Sequence, residues 1–321
     1  MAFIDVKNIK KHFQLKKGVR GKGKVLKAVD DVSFKVEKDS VFAIVGESGC
    51  GKSTLARILV RLIEPTSGTV SFNGEDLFNL KRTALKKFRR SVQIIFQDPY
   101  ASLNPRMRVY STISEPMKIH RIVPSGDLKE RVAELLTSVG LTPDMMDKYP
   151  HEFSGGQRQR ICIARALSLS PEMIVADEPL SSLDVSIQAQ IINLLQDLKQ
   201  KHHLSFIFIS HDLNVVHYFS DMVAVMYLGR IMELADTDEL FERPLHPYTE
   251  LLLKSAPKIG VKNRSKHVSN RMNATEIPSP VDIPDGCLFY TRCPKRFDAC
   301  NRIIPQLKKF EGHSVRCLLY S

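Results

Sequence analysis

Eight consecutive residues, Gly46-Glu47-Ser48-Gly49-Cys50-Gly51-Lys52-Ser53, read G-x-x-x-x-G-K-S, and Thr54 follows them. Glycines at this spacing let successive backbone N–H groups curl around phosphate oxygens, and a helix N-terminus behind them adds positive potential. Lys52 then reaches the β and γ phosphates while Ser53 offers a hydroxyl to Mg²⁺. Cys50, inside the loop, is expected to act through its backbone rather than its thiol. Farther along, Met173-Ile174-Val175-Ala176-Asp177-Glu178 sets four apolar residues before two carboxylates, the way a buried strand delivers acids to a phosphate site. Asp177 suits the Mg²⁺ side, where a hard oxygen ligand is needed. Glu178 suits the base that positions an attacking water.

Such a site needs a strand before the glycine loop and a helix after it. Val41–Val45 is an apolar run, and residues 52–62 carry Leu55, Ile58, Leu59 and Leu62 on one helical face. The second apolar run is followed by a helical stripe over 187–200, and further strands are predicted at Ser205–Ile209 and Met222–Tyr227. This alternation predicts an α/β fold with a mostly parallel sheet covered by helices. Residues 100–170 read as a strand-poor helical insertion punctuated by Pro105, Pro116, Pro124 and Pro143. A break near Arg243-Pro244 divides the chain into 1–242 and 243–321, and the basic, acid-free stretch 258–273 reads as a linker or surface loop.

The 321 residues are 43% apolar and 26% charged, which excludes disordered and collagen-like classes. Apolar runs such as Met222 to Leu228 fall far short of the ~18–20 residues of a membrane span. No basic segment followed by an apolar one marks a secretory signal, so the chain is expected to stay in the cytosol. Forty-seven Lys and Arg against 35 Asp and Glu leave a net charge of +12, which favours anionic partners such as nucleotides, nucleic acid or an acidic membrane face. Six cysteines in a long cytosolic chain argue against a disulfide framework, and four of them, Cys287, Cys293, Cys300 and Cys317, crowd into the C-terminal part.

Phe153-Ser154-Gly155-Gly156-Gln157, followed by an apolar helix, resembles the signature of ATP-binding cassette (ABC) ATPases. Gln97 after a predicted strand, Ser181-Ser182-Leu183-Asp184 after the acids and His211 at the end of the next strand occur in that family's order. The resemblance implies an ATPase core with an antiparallel β subdomain and an inserted helical subdomain, binding ATP and Mg²⁺. It implies two cassettes in head-to-tail pairing, each ATP lying between one glycine loop and the partner's Ser154-Gly155-Gly156-Gln157. Glu178 is then the base, His211 contacts the γ-phosphate, Gln97 senses Mg²⁺, Asp184 lies at the interface and Phe13 stacks on adenine. With Lys52, these supply the expected catalytic and nucleotide-binding set.

A narrower resemblance covers nearly the whole chain. Gln97-Asp98-Pro99-Tyr100-Ala101-Ser102-Leu103-Asn104-Pro105-Arg106, then His246-Pro247-Tyr248-Thr249, then Gly286-Cys287-Leu288-Phe289-Tyr290-Thr291-Arg292-Cys293 are similar to the dipeptide and oligopeptide importer ATPases, especially the second ATPase of dipeptide systems. This implies a heterodimer with a second ATPase beneath two transmembrane permease subunits, at the cytoplasmic face of the membrane, served by an extracellular substrate-binding protein and without nucleic acid. The tail cysteines, with intervals of five, six and sixteen residues, lack the C-x₂-C spacing of most structural zinc sites. The resemblance supports a [4Fe-4S] cluster on Cys287, Cys293, Cys300 and Cys317, while zinc and reduced structural thiols stay open. Two further functions stand beside peptide import: a nickel importer ATPase, and a soluble ABC ATPase acting on nucleic acid or ribosomes. Against the latter, the chain has one glycine loop and no evident nucleic-acid motif.

Overall fold

The computed structural model describes residues 2–15, 24–255, 281 and 283–320. The predicted strands are β3 (Val41–Val45), β7 (Met173–Asp177), β8 (Ser205–Ile209) and β9 (Met222–Tyr227). Before them come β1 (Ile4–Gln14) and β2 (Val25–Val36). Between β3 and β7 lie β4 (Ser67–Phe72), β5 (Glu75–Asp76) and β6 (Val92–Ile95), the last being the strand predicted before Gln97. After β9 come β10 (Arg230–Asp236), β11 (Lys308–Phe310) and β12 (His313–Val315). The central sheet runs β11-β12-β10-β9-β3-β8-β7-β6, and a second sheet runs β2-β1-β4-β5.

Five strands of the central sheet, β9-β3-β8-β7-β6, are mutually parallel. Their alternation explains why they read as continuous apolar runs. Val41, Ala43 and Val45 enter one core, whereas Phe42 and Ile44 enter another on the opposite face. Ile174 and Ala176 of β7, and Phe206 and Phe208 of β8, join the first core; Met173, Val175, Ile207 and Ile209 join the second. A strand with period-2 side chains and apolar partners on both sides is buried throughout. The second core takes in the antiparallel β1-β2-β4 layer together with Leu55, Ala56, Ile58, Leu59 and Phe88, while the first takes in the apolar residues of the 100–170 insertion.

Helices α1 (Lys52–Leu59), α2 (Arg82–Ser91), α7 (Val185–His202) and α8 (Leu213–Phe219) accompany the sheets. The insertion contains α3 (Pro99–Ser102), α4 (Val109–His120), α5 (Leu128–Ser138) and α6 (Gly155–Leu167), joined by turns and without a strand among its described residues. Helix α1 is shorter than the predicted 52–62. Arg61 takes a left-handed φ of 51° just beyond it, and Leu62, placed on the apolar stripe by spacing, is instead exposed.

The C-terminal part departs most from expectation. Helices α9 (Thr237–Glu242) and α10 (Pro247–Ser255) lead into it. Its strands β11 and β12, absent from the sequence reading, extend the central sheet: β12 pairs antiparallel with β10, and β11 with β12. Glu311 and Gly312 both have positive φ, the signature of a two-residue hairpin turn whose twist matches its strands. Arg316 anchors this hairpin by donating to the Ile231 carbonyl and to the Asp31 carboxylate. The stretch 258–273 lies outside the described residues.

Candidate active site

The order β3-β8-β7 puts the glycine loop, Ser210-His211 and Asp177-Glu178 at the carboxyl ends of three neighbouring parallel strands, the usual place for a ligand in an α/β sheet. Two loop glycines are dictated by space and by backbone. A Cβ on Gly46 would stand 2.1 Å from the Met226 carbonyl oxygen, and one on Gly51 would stand 2.0 Å from that of Ala28. Gly51 also has φ +107°, a region L side chains rarely adopt. The loop then delivers the N-terminus of α1, with Lys52, Ser53 and Thr54 in its first turn.

Lys52 is almost wholly buried, and its Nζ donates to the carbonyls of Gly46 (2.8 Å) and Glu47 (3.1 Å). The same ammonium lies 3.6 Å from Glu178 Oε1. Ser53 Oγ donates to Asp177 Oδ1 at 3.0 Å, bringing together two of the three groups expected to serve Mg²⁺, while Gln97 bonds Glu178 instead. Burial raises the Asp177 carboxyl above the ordinary carboxylate range, and the neighbouring Glu178 charge adds to this against the opposing Ser53, Arg57 and Lys52. A hydroxyl and a carboxylate within hydrogen-bond reach form a hard oxygen donor set that fits Mg²⁺. Cys50 is buried with its thiol driven up by desolvation, consistent with a backbone role.

Glu178 leaves β7 through a left-handed φ of 47°, rare for a non-glycine residue, and its N–H donates to the Ile209 carbonyl. That bend, pinned to the adjacent strand, turns the carboxylate to where Gln97 Nε2 (3.1 Å) and His211 Nδ1 (3.3 Å) both meet Oε2. With a carboxylate as its partner, Nδ1 is a ring nitrogen that carries a proton and donates. Two residues from other strand ends, Gln97 and His211, therefore close on one carboxylate beside Lys52.

The segment 154–157 forms the start of α6. Ser154 Oγ accepts from the Gln157 N–H, and Gln157 Oε1 accepts from the Ser154 N–H, a reciprocal capping box. Gly155 and Gly156 are free of Cβ atoms beside Leu183 and Ile187, so this turn packs on the Ser181–Asp184 segment of its own chain. No described hydrogen bond joins residues 154–157 to the glycine loop. Asp184 is exposed at the N-cap position of α7. Phe13 is a half-exposed ring on β1 opposite Leu26, two positions before the Ala28 carbonyl that crowds Gly51, with Lys11 Nζ 5.1 Å from the ring centroid.

In the tail, Cys287, Cys300 and Cys317 are buried and Cys293 is half-buried. Burial pushes the Cys287 thiol up to about 11, and the nearby Cys317, Cys300 and Cys293 push it the same way. The fold brings Cys287 beside Cys300, whose carbonyl accepts the Cys287 N–H at 2.8 Å. Among the described residues no group of three or more His, Cys, Asp or Glu stands close enough to hold a metal ion.

The sequence reading missed the contact between this tail and the glycine loop. Glu47 receives a bidentate ion pair from Arg292, and its N–H donates to Tyr248 Oη. Both partners sit inside motifs quoted for the narrower resemblance, but nothing in local spacing links them to position 47.

The family described as "ABC transporter" matches residues 29–181, and that described as "Oligopeptide/dipeptide transporter, C-terminal region" matches 232–300. The chain is 50% identical to the oligopeptide transport ATP-binding protein AppF of Bacillus subtilis, covering 100% of this chain and 98% of that protein. It is 45% identical to the dipeptide transport ATP-binding protein DppF of Escherichia coli, over 97% and 92%. Among solved structures, an ATP-binding cassette dimer in a post-hydrolysis state with ADP and Pi superposes with a TM-score of 0.65 at 27% identity, over 73% of this chain and 98% of that one. Among the described residues no helix is long and apolar enough to cross a membrane. With this fold, this phosphate loop and such relatives along its full length, the chain belongs to the ABC transporter ATP-binding proteins of the oligopeptide/dipeptide transporter family.

Proposed function

We propose that this chain is the ATP-hydrolysing subunit that powers import of di- and oligopeptides through a membrane complex. The observation that carries the reading is likeness to oligopeptide and dipeptide transport ATP-binding proteins that continues beyond the ATPase core into the C-terminal region. Gly46, Glu47, Ser48, Gly49, Cys50 and Gly51 form the phosphate cradle, with Thr54 behind it, and Lys52 binds the β and γ phosphates. Ser53, Asp177 and Gln97 would hold Mg²⁺, which when bound would neutralise developing phosphate charge. Glu178 accepts the proton of the attacking water as the bond from the γ-phosphorus to the bridging oxygen breaks, and His211 with Gln97 keeps that carboxylate aimed. Phe13 stacks on adenine.

The self-contained turn at Ser154-Gly155-Gly156-Gln157 supports completion of the site by a second cassette: its solvent-facing helix N-terminus is suited to a γ-phosphate across an interface, with Asp184 at the same seam. The partner is a distinct ATPase, and the pair sits at the cytoplasmic face of the membrane against two permease subunits that receive peptide from an extracellular binding protein. Cys287, Cys293, Cys300 and Cys317 would ligate a [4Fe-4S] cluster that braces the tail; this reading rests on the number of cysteines and on likeness to the oligopeptide/dipeptide transporter C-terminal region, not on their spacing in the structure.

Anaerobic co-purification from membranes tests the assembly and the cluster together, with mass identification of partners and iron counted in the same sample. Two permease subunits, a second cassette and about four irons per chain, the number in a [4Fe-4S] cluster, are expected. Recovery with ribosomes or nucleic acid and no permease would overturn the importer assignment. Nickel rather than peptide as the transported species, measured in vesicles, would overturn the cargo alone.

A further inference from the structure

Glu47 is the second residue of the phosphate loop, and the C-terminal extension holds it at two points. Its carboxylate takes both arms of the Arg292 guanidinium, Nη1 to Oε2 at 2.7 Å and Nη2 to Oε1 at 2.8 Å, with side-chain exposures of only 16% and 22%. Its N–H donates to Tyr248 Oη at 3.1 Å. A paired fork fixes orientation as well as distance, because two parallel bonds allow neither group to rotate. The guanidinium is itself seated between rings, 5.8 Å from the centroids of both Tyr227 and Phe289, and Tyr248 packs on the same two rings.

The third bonding group of Glu47 faces the chemistry. Its carbonyl accepts from Lys52 Nζ at 3.1 Å, and Lys52 in turn faces Glu178 at 3.6 Å. A continuous line of contacts therefore runs from the cysteine-bearing tail through Arg292 and Glu47 to the lysine expected to bind phosphate. The tail has other anchors: Lys295 pairs with Glu250 on α10, and Arg243 pairs with Glu311. Its attachment alone does not require a charged fork on a phosphate loop.

Building on the ATPase reading above, we propose that Arg292 is a positioning residue for ATP hydrolysis: together with Tyr248 it locks Glu47, and so the C-terminal extension sets the placement of Lys52. Arg292 touches no reacting atom and acts only through the loop.

The test compares ATP turnover by the detergent-purified transporter complex carrying the unaltered chain, Arg292→Ala, Arg292→Lys, Glu47→Gln, the exchanged pair Glu47→Arg/Arg292→Glu, or Lys295→Ala, with thermal unfolding of each. Arg292→Ala is expected to lower kcat/KM about tenfold or more, Glu47→Gln several-fold, and Arg292→Lys to recover part of the loss because an ammonium cannot form the fork. The exchanged pair should recover more than either of its single changes. Lys295→Ala, which loosens the tail elsewhere, should leave turnover unchanged. Turnover in Arg292→Ala and Glu47→Gln equal to that of the unaltered complex would overturn the positioning role while the ATPase reading stands. Equal losses in Arg292→Ala and Lys295→Ala, with no recovery in Arg292→Lys or the exchanged pair, would reduce Arg292 to a structural anchor. Absence of turnover in the unaltered complex would overturn both readings.

Discussion

Gln97 and His211 converge on one oxygen. The amide Nε2 and the imidazole Nδ1 lie 3.1 and 3.3 Å from Oε2 of Glu178, leaving Oε1 to face Lys52 at 3.6 Å. They reach it from 81 and 33 positions away, so neither is a local support. A base held by one oxygen keeps its other oxygen available for a proton, and two donors fix its direction.

Glu178→Gln should therefore keep nucleotide binding and lose turnover. The amide preserves shape and accepts hydrogen bonds but cannot take a proton, and general-base contributions are typically about 10²–10⁴-fold. Phosphate release should fall by that factor while an ATP-induced thermal shift persists. Unaltered phosphate release would remove Glu178 from the role.

Gly51→Ala should destroy nucleotide binding rather than catalysis alone. The new Cβ would enter the Ala28 backbone oxygen, and the left-handed φ adds about 1–2 kcal/mol for a residue with a side chain. The loop must shift, taking Lys52 and Ser53 with it. Isothermal titration should find ATP affinity reduced at least tenfold, and retained affinity would show that the loop tolerates another path.

Stability should fall on acidification through His246. Burial holds its imidazole down at about 3, against a partial opposing effect from the Arg316 backbone, and its Nδ1 accepts the Tyr248 N–H. The unfolded chain, with an ordinary pKa near 6.5, binds a proton that the folded chain refuses between those values. The contribution is complete above about pH 6.5 and declines by about 1.4 kcal/mol per pH unit below it, until about pH 3. Denaturant unfolding at pH 7.0, 6.0 and 5.0 should show this slope, and His246→Asn, which keeps an acceptor for the Tyr248 N–H, should flatten it. An identical slope in that variant would assign the effect to other groups.

On the cluster proposed for the tail, Cys293→Ser should abolish the brown colour and iron content of anaerobically prepared protein and increase protease sensitivity of the tail, leaving the ATPase core folded. Serine retains the shape of cysteine but is a poor ligand to iron–sulfur clusters, and three remaining thiolates leave one iron without its protein ligand. Iron content equal to that of the unaltered chain would remove the cluster assignment, and zinc in its place would identify the alternative metal.

Local order in the chain determined much of this protein before any fold was known. The phosphate loop, the acids after an apolar strand and the parallel sheet were legible because each depends on neighbours within a few positions: a glycine where a Cβ collides, an apolar run where both strand faces are buried. The end of α1 was misplaced because apolar spacing carries Leu62, whereas the left-handed Arg61 ends the helix first. The tertiary structure alone decided how distant groups combine. It paired β12 with β10, whose short strands carry little periodicity, and it set Arg292 on Glu47 across 245 positions. A single arginine or a three-residue strand has no sequence signal of its own, since its partner is chosen by proximity in space and not by spacing along the chain.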